Sequence, residues 1–185
     1  VQPVAHVGEH AVDVEDCHRH PPTLSAHDAP WNAHTMDFDA VKASMPTLVP
    51  MVGTLDLEFL ELDERTAVLR LPDQKPYHNH IGGPHAGAMF TLGESASGAL
   101  VLGNFADHLA RVTPLAVEAN IAYKKVAMGP VVATAVMRSE AGDILAELDN
   151  DERPEFRVDI TIATEDGTVT GEMYVLWTLK RNKAA

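Results

Sequence analysis

Residues 79–94 read Asn-His-Ile-Gly-Gly-Pro-His-Ala-Gly-Ala-Met-Phe-Thr-Leu-Gly-Glu: a polar loop with paired glycines, a helix start, and then one carboxylate. The first N–H groups of a helix have no partner inside it and carry the positive end of its dipole. Those of Ala86 and Gly87 are therefore placed to hold an oxyanion, and Gly87, with no side chain, lets a ligand approach closely. Glu94 supplies the other half of the chemistry. It is the only acid in a stretch otherwise built of apolar and small residues, and a carboxylate buried there is costly unless it is paired or useful. A base or a nucleophile is the useful role, and a salt-bridged core acid is the plain one.

Helix geometry separates these halves. Eight residues of helix between Ala86 and Glu94 make about 12 Å of rise, whereas reacting groups must lie within about 3–3.5 Å of one another. Glu94 of one subunit is thus expected to meet the loop and helix start of another. His85 precedes Glu94 by nine residues, which at about 100° each puts it on the opposite side of the helix. It is expected to satisfy backbone groups at the helix start rather than to act as a general base.

The elements that must position these residues are legible in part. Residues 85–105 form a long helix rich in Ala, Gly, Ser, Leu and Met, and its small residues imply close packing on most sides. Before it, the spacing of Phe38, Val41, Met45 and Leu48 predicts a short amphipathic helix closed by Pro46 and Pro50. Residues 54–60 alternate at Leu55, Leu57 and Phe59, and residues 66–71 alternate again, with Asp63-Glu64 as the turn of a hairpin. Residues 72–84 carry Pro72, Pro76, Gly82, Gly83 and Pro84 and read as a long functional loop. After the helix, residues 112–125, 130–138, 156–164 and 168–179 read as strands, the last two joined by the turn at Asp166-Gly167. Residues 139–154 are acidic, and Ile144, Leu145 and Leu148 hint at a short helix or a hairpin tip. The expected class is α+β: an antiparallel sheet covered by one helix.

The chain of 185 residues is long enough for one well-buried core. Residues 1–35 differ from the rest, with six of the ten histidines and no sustained apolar period. They are read as a flexible polar arm, pinned at its end by Trp31 and Phe38, ahead of a domain at 36–185. Cys17, His18 and His20 lack the paired spacing of a zinc site, so no metal is expected. A net charge of −13 argues against nucleic acid and anionic membranes as partners. No apolar run suits a membrane span, no signal peptide is expected, and the single cysteine fits a reducing cytoplasm.

The loop and helix at 79–94, in this order of elements, resemble the hotdog-fold acyl-CoA thioesterase superfamily, in its PaaI-like branch or a related uncharacterised branch. The pattern of that group is Asn-x-x-Gly-x-x-His-Gly-Gly followed by Thr-Leu-x-Asp/Glu. Here Asn79, Gly82, His85, Gly87, Thr91, Leu92 and Glu94 fall at matching spacing, and Ala86 stands in place of a glycine. The resemblance covers roughly residues 50–180. It implies a curved antiparallel sheet wrapped around the long helix, and a homodimer or dimer of dimers with two sites at the subunit interface. The activity implied is hydrolysis of a small to medium acyl-CoA thioester without a cofactor.

On that scheme Glu94 activates water or attacks directly, Asn79 orients the water or the substrate, and Ala86 and Gly87 hold the oxyanion. His85 and Gly82 of the motif, Asn120 of the flanking strand, facing the tunnel, and the cations Lys124 and Lys125 complete the substrate-binding set. Arg138, Lys180 and Arg181 are further candidates for the coenzyme phosphates. Two other readings remain open. Ala86 adds a methyl where a thioester would lie, which favours a non-catalytic acyl-CoA or lipid-binding module. A hydratase or dehydratase would pair a pocket histidine with an acid, and His85 faces the wrong way for that.

Overall fold

Six strands build the sheet, three of them with inside–outside alternation along their length, and a helix apolar on nearly every side fills it. The computed structural model describes residues 37–183, so the readings placed on residues 1–35, the Cys17–His18–His20 group and Trp31 among them, lie outside the described residues. The elements are α1 (Phe38–Leu48), α2 (Pro50–Thr54), β1 (Glu58–Leu62), β2 (Thr66–Leu71), α3 (Ala86–Phe105), β3 (Val112–Tyr123), β4 (Val131–Met137), α4 (Ala141–Asp149), β5 (Glu155–Thr164) and β6 (Val169–Arg181). The strands form one six-stranded sheet in the order β1-β2-β4-β5-β6-β3, every neighbouring pair antiparallel. With α3 against its apolar face, this is the α+β hotdog arrangement.

The inner face is set by a period of two. Leu69 on β2, Ala133 on β4, Ile162 on β5 and Val175 on β6 are fully buried and point at α3. Leu92, Ala96, Ala99, Leu100 and Phe105 of α3 are buried completely in return. Small residues set how closely the layers approach. A methyl group at Gly93 would stand 2.6 Å from Met173 Sδ, and one at Gly103 would stand 2.8 Å from the Phe38 ring. Trp177 Nε1 donates to Ser97 Oγ (3.2 Å), which donates to the Glu94 carbonyl (2.8 Å), so β6 is bolted to the helix one turn beyond the acid.

Three expectations need adjusting. Residues 54–60 are not one strand, since α2 runs to Thr54 and β1 begins only at Glu58. Pro50, expected to close the first helix, occupies the first turn of α2, where a missing N–H costs nothing, and so opens a second helix that ends at the first residue of the expected strand. Pro46 lies inside the last turn of α1 rather than after it. The acidic segment resolves to the helix α4, which buries Ile144 and Leu148. The hairpin at Asp166-Gly167 forms as read. Asp166 Oδ1 accepts from the Thr168 N–H (3.0 Å), and Gly167 takes a positive φ of 84°.

β3 is a sheet edge twelve residues long, and Leu115, Val117 and Tyr123 on it are 39, 46 and 48% exposed. Among the described residues no helix is long and apolar enough to cross a membrane.

Candidate functional site

The loop before α3 is held in shape by Asn79. Its Oδ1 accepts from the N–H groups of Ile81 (3.0 Å) and Gly83 (3.3 Å), and its Nδ2 donates to the Pro84 carbonyl (3.1 Å). Gly82 closes the turn by donating to the Asn79 carbonyl (3.1 Å) with φ at +84°, a conformation that favours glycine. Gly83 is buried, and a side chain there would run into the Ala127 carbonyl at 2.2 Å. The loop is thereby clamped against the segment after β3, with the His85 N–H bonded to the Tyr77 carbonyl (2.9 Å).

His85 is the N-cap of α3, and its Nδ1 accepts from the Gly87 N–H at 2.9 Å. That bond fixes a neutral His85 as the Nε2–H tautomer, a donor toward the groove. It also takes up one of the two N–H groups assigned to the oxyanion. Among the described residues the N–H groups of Ala86 and Ala88 have no partner, so the unoccupied donors at this helix start are 86 and 88, not 86 and 87. Tyr123 Oη donates to the Ala86 carbonyl (2.8 Å), fixing the first peptide of the helix from the edge strand.

Glu94 is half-buried, and among the described residues its carboxylate has neither a hydrogen bond nor an ion pair. The salt-bridged core acid is therefore not what this subunit builds. Burial holds the Glu94 carboxyl above the usual carboxylate range. Seven helical residues bring Glu94 almost back under Gly87, about 10 Å along the same face, with Thr91 between them.

The raised value has a consequence for stability. The folded chain binds the Glu94 proton more tightly than the unfolded chain, so this group favours folding below the ordinary carboxyl range. That contribution is lost as pH rises through the raised value. Glu94→Gln is therefore expected to raise Tm at neutral pH, by about 2–4 °C for each kcal/mol regained, and to leave it unchanged in acid. Thermal melts across pH check this, and a lower neutral Tm in the variant would mean that the carboxylate is paired.

Two grooves flank the start of α3. One, of about 400 Å³, is lined by Asn79, Ala86, Tyr123, Lys124 and Lys125 among others, so it gathers four of the residues singled out from the sequence. The other, of about 480 Å³, is lined by His85, Gly87 and Thr91 of the motif together with residues of α2 and of the loop. Lys124 Nζ is engaged by Glu172 at 2.8 Å, whereas Lys125 has no ion pair among the described residues. Arg138 and Arg181 pair with Asp159 (3.5 Å) and Asp151 (3.4 Å). Lys180 and Arg181 stand at the far end of β6, opposite Thr113 and Val112, away from both grooves.

Asn120 does not face the helix. It is exposed and lies opposite Tyr174, while its neighbours Ala119 and Ile121 lie opposite the buried Val175 and Met173. The alternation of β3 itself puts Asn120 on the outer face, where Arg157 stacks 4.1 Å over the Tyr174 ring and Glu118 accepts from the Tyr174 hydroxyl. The residues missed from the sequence are Tyr123, in the role it takes at Ala86, and the α2 residues of the second groove. No local pattern announced either.

A family model described as a domain of unknown function (DUF4442) matches residues 39–179. No curated protein matches the chain. Among solved structures, a protein of unknown function from Pseudomonas aeruginosa, named a probable thioesterase, is 23% identical with a TM-score of 0.70. The match covers 82% of this chain and 100% of that one. A thioesterase enzyme from Staphylococcus aureus, solved with one glutamine replaced by alanine, is 20% identical over 71% of this chain and 99% of its own, with a TM-score of 0.60. The same protein was also solved with a glutamate replaced by alanine. The PaaI protein of the E. coli phenylacetic acid degradation operon is 15% identical over 80% of this chain and 95% of its own, with a TM-score of 0.61. At these identities the likeness is one of fold.

Proposed function

The chain belongs to the DUF4442 family, an uncharacterised branch of the thioesterase hotdog proteins, and on that premise we propose that it hydrolyses a small to medium acyl-CoA thioester. The observation that carries this reading is Glu94: a half-buried carboxylate with no partner among the described residues, on the same helix as an N–H also unoccupied among them but out of its reach. A second copy of the chain brings the two together. The long edge β3, with exposed Leu115 and Val117, supports pairing with a second copy. A dimer of dimers is the larger assembly compatible with it.

In this reading the thioester carbonyl lies at the helix start of one subunit and its oxygen is held by the Ala86 N–H. Gly87 joins only where His85 gives up its contact, and His85 Nε2–H is a further donor. Glu94 of the partner subunit takes a proton from water as it attacks the carbonyl carbon, or attacks that carbon itself. On the first route the C–S bond then breaks and the thiolate takes up that proton; on the second the thiolate leaves a mixed anhydride with Glu94, which water hydrolyses to the free acid and the Glu94 carboxylate, the proton released going to the thiolate. Asn79 keeps the loop in shape and has one Nδ2 hydrogen left for water or substrate. The glutamine and glutamate replaced in the S. aureus enzyme are fifteen positions apart, as are Asn79 and Glu94, which supports a joint role for this pair. No cofactor is required, and the proposed location is the cytoplasm.

The phosphates of coenzyme A are assigned to Lys125, with Lys124 shared with Glu172. Lys125→Ala is expected to raise KM for acyl-CoA about tenfold, the effect of losing one charge-assisted contact, with little change in kcat. Steady-state kinetics on acyl-CoA and on the acyl-pantetheine lacking the nucleotide check this, since only the first should respond.

One observation favours a second reading. With the Gly87 N–H engaged by His85, a single backbone donor at the expected pair is left for an oxyanion, which suits a non-catalytic acyl-CoA or lipid-binding module. A panel of acyl-CoAs with thiol detection separates the two. Thiol release at enzymatic rates supports hydrolysis, and saturable binding without release supports the binding module.

A further inference from the structure

The two grooves beside the start of α3 differ in chemistry. On the side of β3 the wall carries Lys124, Lys125 and Asn79. On the side of α2 the polar groups are nearly all spent. Thr54 Oγ1 donates to the Pro50 carbonyl (3.0 Å), Thr91 Oγ1 to the Gly87 carbonyl (3.0 Å), and Tyr77 Oη to the Thr54 carbonyl. His78 Nε2 is held by Asp73 Oδ1 at 2.6 Å. The donor hydrogens of these hydroxyls and His78 Nε2 are therefore taken within the wall, and the donor left over is His85 Nε2–H, beside the helix start where the thioester carbonyl would lie. The rest of the wall is apolar: Met51 of α2, 52% exposed, the buried Leu55 just after α2, Pro76 of the loop and Ala88 of α3. Gly87 lines this groove and Ala86 the other, so the first peptides of α3 lie between an apolar channel and a cationic one.

From this division we propose that the α2-side groove takes the acyl group, that the acyl group carries no polar substituent, and that Met51 sets the chain length accepted. The proposal rests on the thioester reading above and adds the class of substrate to it. A thioester is itself divided this way, apolar on the acyl side of the carbonyl and polyanionic on the coenzyme side. With its carbonyl at the helix start, only one orientation puts phosphates beside Lys125 and hydrocarbon beside Met51 and Leu55. A hydroxyl or carboxylate farther along the chain, beyond reach of His85, would meet a wall whose donors are taken and would lose hydration without replacement. Each methylene buried is worth about fourfold in binding. Met51, unbranched and on the exposed side of a one-turn helix, is the wall residue whose replacement changes the groove with least disturbance to the core.

The test compares the unaltered protein, Met51→Trp and Met51→Ala on straight-chain acyl-CoAs from acetyl to dodecanoyl. Thiol release gives kcat/KM, and competition by the corresponding non-hydrolysable thioethers gives affinity independently of turnover. Met51→Trp is expected to lower the ratio of long-chain to short-chain kcat/KM at least tenfold, and Met51→Ala to move the preferred length upward. Thioethers ending in hydroxyl or carboxyl should bind about tenfold or more weakly than the alkyl compound of equal length. Length profiles that coincide in all three proteins, or equal affinity for the carboxyl-ended thioether, would overturn the assignment. If no acyl-CoA releases thiol but thioether affinity still follows length and shifts with Met51, the groove assignment stands and the hydrolytic reading falls.

Discussion

Glu94→Gln is expected to lower thioester turnover by about 10²–10⁴-fold, the range for loss of a general base, with KM changed far less. Glutamine keeps the shape of the side chain in its half-buried setting and removes only the charge and the basic oxygen. No hydrogen bond or ion pair is lost with it, because among the described residues the carboxylate makes none. The same substitution that removes turnover should therefore leave the fold intact or firmer. Opposite movement of kcat and Tm would mark Glu94 as a group kept for chemistry at a cost in stability. Turnover within a few-fold of the unaltered protein would remove Glu94 from the reaction.

The second large effect is predicted for Ala86→Pro, which deletes one N–H and little else. Ala86 is the first residue of α3, the position where proline is best tolerated, and its N–H has no partner to lose. His85 before it has φ −65° and ψ 141°, the extended conformation that a residue preceding proline prefers. The helix should therefore form as before while the oxyanion loses its donor. Loss of a single such donor costs about 10²–10³ in kcat. Circular dichroism and melting should match the unaltered protein while kcat falls. Full activity in the proline variant would move the oxyanion site away from this N–H.

The parts of this architecture that were legible are those where one period governs a whole element. β2, β4 and β5 alternate because each buries one face under α3, and α3 shows its burial by carrying no charged residue except Glu94. The Asp166-Gly167 turn was readable because only a residue tolerant of positive φ suits it. Where two signals competed, the reading failed. Leu55 and Leu57 alternate like a strand, but Pro50 starts a helical turn that carries the chain to Thr54. The groove walled by α2 went unseen with it. Asn120 was placed on the wrong face, although Ala119 and Ile121 on either side already pointed inward. That His85 satisfies a backbone group at the helix start was legible, but not that the group is the Gly87 N–H, since histidine is not among the usual helix caps and nothing in the spacing singles out Nδ1 as an acceptor.

The central claim, that Glu94 of one subunit serves the helix start of the other, is tested most directly by mixing the two inactive proteins. Glu94→Gln and Ala86→Pro subunits are unfolded, combined in equal amounts and refolded, and thiol release is compared with each variant treated alone. A shared site predicts that each mixed dimer carries one intact site and one doubly altered site. Random pairing then restores about a quarter of the unaltered activity. Activity no higher than the mean of the two separate variants would contradict a shared site and return both groups to one chain.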